Sequence, residues 1–167
     1  MGYADDATSA VTSGGSMIKK LACTFVASSA LLTFGAPAAQ AAPPEPFTIT
    51  QNIDFNTGEV SFTATGALCP SGTFENTREI FAGNPESASR INIQIRTVFI
   101  CDNGDTFFAH KHVHTLINED GSDTTSGPVI LQGGTGAFTR LSGHGMDNGS
   151  TADGIGVREI SGVLKLR

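Results

Sequence analysis

Tryptophan is absent from the 167 residues, tyrosine occurs once and cysteine three times. Aromatic packing therefore falls to the 11 phenylalanines. Basic residues are scarce too, ten against 16 acidic, for a net charge of −6. That sign argues against nucleic acid or an anionic membrane as the main partner. Long apolar runs are missing: Leu21–Phe34 contains Thr and Ser and spans about 14 residues, short of the ~20 that cross a bilayer. No later window keeps a 3.6-residue apolar period, so amphipathic helices are not expected. Reaction motifs are missing as well. There is no Gly-x-Ser-x-Gly elbow and no zinc-protease helix motif. Gly133-Gly134-Thr135-Gly136 lacks the Lys-Ser/Thr pair and the following helix of a phosphate loop.

What is present begins with an export signal. Met17-Ile18-Lys19-Lys20 supplies a charged start, Leu21–Phe34 the apolar stretch, and Ala39-Gln40-Ala41 a small-residue cleavage site. Residues 17–41 thus read as a secretory signal peptide, and 1–16 as a non-native leader ahead of the true start at Met17. Cys23 lies at the head of the apolar stretch rather than just after it, against a lipid attachment. Residues 42–46, rich in proline, read as a disordered linker. Removing 1–41 takes away two lysines and two aspartates and leaves the charge at −6. The expected location is extracellular, with no membrane anchor after cleavage. Outside the cell the two remaining cysteines, Cys69 and Cys101, read as a disulfide. The loop it closes is of a length that the chain-entropy account values at ~3–4 kcal/mol.

Residues 47–167 read as a single all-β domain. Val60, Phe62 and Ala64 alternate with polar neighbours, and Ile91, Ile93, Ile95 and Phe99 do so more clearly. Asn56-Thr57-Gly58, Asp102-Asn103-Gly104-Asp105 and Asn118–Ser122 punctuate the runs as turns. Further strands are expected over Thr73–Ala82, Thr106–Ile117, Ala137–Met146 and Ile155–Leu166, with Asn148-Gly149-Ser150, which matches a glycosylation sequon, as a surface turn. About eight strands with short turns describe a sandwich or an up-and-down antiparallel barrel. Nearly half of the 20 glycines fall between Gly133 and Gly162. Glycine permits the sharp bends of a small barrel, so the barrel is the expected fold.

Gly134-Thr135-Gly136-Ala137-Phe138, followed by Leu141-Ser142-Gly143-His144-Gly145, resembles the final-hairpin signature of the allene oxide cyclase-like, dirigent-related barrel superfamily. Cys69-Pro70-Ser71-Gly72 and Cys101-Asp102-Asn103-Gly104 are similar to segments of its exported actinobacterial members. The resemblance covers roughly Ala64 to Arg167. It implies a barrel fold, and an isomerase or cyclase working without a cofactor as one possible activity. No counterpart of the family's catalytic positions is present, so none is carried over.

Three candidate sites stand out. His110, His112 and His114 lie two apart, which on a strand sets three imidazoles on one face at ~6.5–7 Å spacing. They form either a zinc or copper site or a solvated polar face. Phe107, Ala109, Val113 and Ile117 hold the opposite, core-like register, and Lys111 shares it. Lys111 and Arg96 are the candidates for polar groups inside the barrel, reaching a ligand. Glu75, Arg78, Glu79 and Arg158 are weaker acid–base or carboxylate-binding candidates. The expected function is binding of a small apolar ligand within the barrel. The alternatives are the isomerase or cyclase and a filled, purely structural barrel. No cofactor beyond that zinc or copper is implied.

Overall fold

A computed structural model describes residues 43–84 and 89–166. The leader and signal-peptide expectations fall outside them. Eight strands follow one another: β1 (Glu45–Asp54), β2 (Glu59–Thr65), β3 (Ser71–Ala82), β4 (Arg90–Cys101), β5 (Thr106–Ile117), β6 (Asp123–Gln132), β7 (Ser142–Ala152) and β8 (Ile155–Lys165). Each pairs antiparallel with the next, and β1 closes on β8, giving the expected up-and-down barrel. The β2–β3 seam is the short one: it pairs only Phe62 with Gly72 and Thr63 with Ser71, and beyond it β3 pairs with β4 alone. Among the described residues no helix is long and apolar enough to cross a membrane.

Three expectations about boundaries are corrected. Glu45 and Pro46 are not linker: they open β1 and pair with Leu164 and Val163 of β8. Proline is tolerated there because a strand's first residues need not donate to both neighbours. The penultimate strand starts at Ser142 instead of Ala137, because Gly136–Phe138 forms a 3-10 turn. It also runs through Asn148-Gly149-Ser150, which is paired strand rather than turn.

The barrel has two unlike ends. At one, here the lower, the β2–β3, β4–β5 and β6–β7 connections gather. Phe62, Phe74, Phe99 and Phe107 point inward there, and Phe138 and Leu141 of the β6–β7 loop plug the opening. Phe99 stacks on Phe107 with centroids 4.7 Å apart, and Phe62 meets both edge-on at 5.1 and 6.1 Å. Phe138 adds an edge contact to Phe107 at 5.3 Å. Offset and edge-to-face pairs of this kind contribute beyond simple burial, about 0.5–1.5 kcal/mol each. The Cys69–Cys101 disulfide ties the β2–β3 loop to the end of β4 over this plug, with Cα atoms 6.0 Å apart.

The glycine-rich segment acts at the same end. Gly136 adopts φ +53°, and a side chain there would strike the Asp105 carboxylate. Thr135 ties the loop to β5, donating its backbone N–H to Thr106 O at 2.9 Å and accepting the Thr106 N–H on its hydroxyl at 2.9 Å. Farther along, Gly145 faces Gly162 across the β7–β8 ladder. A Cβ on either would meet the other strand's backbone, 2.3 Å from Ser161 O or 2.1 Å from His144 O. The bend of the closing hairpin depends on that close approach.

Candidate functional site

The site lies in the upper half of the barrel and is built by strand periodicity. On β5 the inward series is Phe107, Ala109, Lys111, Val113 and Thr115, all buried. Lys111 therefore stands above the phenylalanine floor, 2% exposed, in mid-lumen. On β1 the inward series is Phe47, Ile49, Gln51 and Ile53, and on β7 it includes Asp147, fully buried. Lys111 Nζ donates to Gln51 Oε1 at 2.5 Å and lies 3.1 Å from Asp147 Oδ2. The Asp147 approach is an ion pair but not a well-directed hydrogen bond, and neither Asp147 oxygen has a hydrogen-bond partner among the described residues.

Burying an ion pair costs several kcal/mol per charge and is recovered only with good geometry and satisfied partners. Here the carboxylate is incompletely satisfied. Desolvation is the largest influence on Lys111 and pulls its pKa below the usual lysine value. Asp147 opposes this by charge attraction, and Arg158 reinforces it by repulsion.

A β-bulge on β3 supplies the rest. The pairing of β3 with β4 shifts register between Asn76 and Arg78. Before the bulge Phe74 and Asn76 share a face with inward Phe99 and Thr97. After it Glu79 and Phe81 pair with inward Ile95 and Ile93. An extra residue in one strand reverses the phase of all that follow. Thr97 donates to Asn76 Oδ1 at 2.9 Å, and Asn76 Nδ2 donates to Glu79 Oε1 at 2.8 Å. Ile80 is turned outward and is 41% exposed.

These side chains surround a cavity of about 550 Å³ that opens at the upper end, with Lys111 and Gln51 at its depth. Its walls include Ile53, Val60, Phe74, Phe81, Ile93 and Ile95, and Arg158 projects from β8. Phe55 and Phe81 stand at the mouth, 59% and 45% exposed. A wider depression of about 610 Å³ lies near Arg90, His114, Ser126 and Asn148. It is an open hollow on the other side of the barrel's upper half, and Lys111 is not among the residues that line it.

The sequence-based candidates divide sharply. Lys111 is inside, deeper than a position at the barrel mouth. Arg96 is not inside: it alternates with buried Ile95 and Thr97, faces solvent and lies over the Phe108 ring at 5.2 Å. Arg78 pairs with Arg96 on that outer face, whereas Glu79 and Arg158 line the cavity. His110, His112 and His114 share the outer face of β5, as the period of two requires. His114 Nδ1 bonds Asn92 Oδ1 on β4. Among the described residues no group of three His, Cys, Asp or Glu side chains is placed to hold a metal ion. Gln51, Asp147 and Asn76 escaped the sequence reading. For Gln51 the signal was there, since it stands at period two between Ile49 and Ile53.

No protein-family model, no curated protein and no solved structure matches this chain. The site is therefore interpreted from its own chemistry.

Proposed function

We propose that this barrel is an exported binding module that holds one small, largely apolar molecule in its upper cavity. The observation that carries this reading is the cavity itself. Its volume of about 550 Å³ falls within the ~300–1,000 Å³ typical of ligand sites. Apolar walls with a few convergent polar groups suit a molecule with a hydrocarbon body and one polar end. The exposed rings of Phe55 and Phe81 give such a body an apolar path inward. A filled, purely structural barrel has no use for this space.

A second reading, an isomerase or cyclase of the allene oxide cyclase-like kind, draws support from one feature. Lys111 and Asp147 bring ionisable groups into a water-poor interior, where field effects on a bound substrate are large. Conversion of an unsaturated fatty-acid epoxide, lost in Lys111→Met, is the outcome that favours it.

The binding reading is tested by titrating the purified chain with the apolar fluorophore N-phenyl-1-naphthylamine. Saturable one-to-one binding is expected, abolished by Ile95→Trp, which fills the cavity. Binding that never saturates, or that survives Ile95→Trp in a folded variant, overturns it.

A further inference from the structure

We propose that the cavity's ligand carries an aldehyde or ketone, and that Lys111 Nζ holds it as a reversible imine with Asp147 as counter-ion. The inference rests on the binding reading above and adds the chemistry of the ligand's polar end.

The argument begins with what surrounds Nζ. Gln51 Oε1 accepts one of its N–H groups, Asp147 Oδ2 lies 3.1 Å away, and Lys111 itself lines the cavity. The other charged groups lining the space are Arg158 from β8, Glu75 and Glu79 from β3, and Asp54 from β1. A ligand carboxylate would have to compete with Asp147 for Lys111 and would face that buried negative charge. Two like charges in a poorly solvated site repel strongly. A neutral carbonyl avoids this conflict, and condensation leaves the charge of the pair unchanged.

The step balances without an outside reagent. Lys111 gives one ammonium proton to Asp147, and the freed lone pair adds to the carbonyl carbon. The carbinolamine oxygen then takes protons and leaves as water, so that a C–N double bond replaces the C–O bond. The product is an iminium, one positive charge at the same nitrogen beside the same carboxylate. The two Asp147 oxygens lack hydrogen-bond partners among the described residues, so they are free to receive and return the proton. Desolvation favours the neutral amine at Lys111, the form that attacks a carbonyl.

The test uses the full chain, trans-cinnamaldehyde and sodium cyanoborohydride, with peptide mapping of the reduced adduct. Lys19, Lys20, Lys165 and the chain's amino terminus serve as internal comparisons. Adduct is expected at Lys111 ahead of the other lysines, since desolvation raises the neutral fraction of its amine. Excess cinnamyl alcohol, which cannot condense, should suppress it. Lys111→Arg, which keeps the positive charge but cannot condense, should lose the adduct; if that variant fails to fold, the wild-type map decides alone. Adduct only at the other lysines or the amino terminus overturns the imine. So does no adduct while cinnamyl alcohol displaces the fluorophore, and in both cases the binding reading stands. If no adduct forms at Lys111 and the fluorophore itself fails to bind saturably, the binding reading falls and the imine falls with it.

Discussion

The two ends of this barrel are made from the same strands and solve opposite problems. Below Ala109 the inward positions are mostly phenylalanine, leucine and isoleucine, and the rings stack and meet edge-on. Above it the same strands turn Lys111, Gln51, Asp147 and Glu79 inward and leave a cavity of about 550 Å³. The lower end gains from dispersion and removal of apolar surface from water. The upper end spends some of that stability to keep charged groups and open space. A small barrel thus keeps a site at one end because the other end is solid, doubly plugged and cross-linked.

This contrast can be broken most severely from below. Phe99→Ala removes the ring on which Phe62, Phe74 and Phe107 all pack. It should cost about 3–5 kcal/mol in urea unfolding, enough to unfold much of the population at 37 °C. Removing only one partner of the upper ion pair is expected to be comparably harmful. Asp147→Leu leaves Lys111 without a counter-ion and should also cost about 3–5 kcal/mol. The double variant Lys111→Met/Asp147→Leu should return to within about 1 kcal/mol of the parent, or exceed it. A double variant as unstable as Asp147→Leu would show that the pair itself stabilises the fold.

A smaller effect follows from pH. The folded-state pKa of Lys111 lies below its unfolded value of about 10.4. Below the folded pKa both states hold the proton, and the desolvation penalty stands in full. As pH rises from the folded pKa toward about 10.4, the folded state releases its proton first, and stability increases. The urea midpoint of the parent should therefore gain over the alkaline range relative to Lys111→Met/Asp147→Leu. The outer face should matter least: replacing His110, His112 and His114 by Ser should change stability by no more than about 0.5 kcal/mol each. Unchanged melting in excess zinc or copper is expected with it.

Strand number and closure were legible because each rests on a local signal. Alternation at Ile91–Phe99 and the turn residues marked the strands. Lys111 was legible by register alone. Arg96 was misjudged although it alternates with Ile95, because an arginine on an apolar strand suggested a buried charge. The remainder of the site was hidden by phase. One bulged residue after Asn76 turns Glu79 and Phe81 inward and Ile80 outward, and nothing in the residues there announces it. Asp147 was missed because Asn148-Gly149-Ser150 resembles a turn, whereas the pairing of Gly149 with Arg158 continues the strand.

The difference between a hollow and a solid end can be read directly by NMR of the methyl-labelled protein titrated with N-phenyl-1-naphthylamine. Methyl resonances of Ile53, Val60, Ile93 and Ile95 should shift together and saturate at one equivalent. Those of Ile49, Leu131 and Leu164, packed in the lower end, should hold still. Shifts confined to outward-facing Ile100 or Ile130, or no shifts at all, would contradict the account.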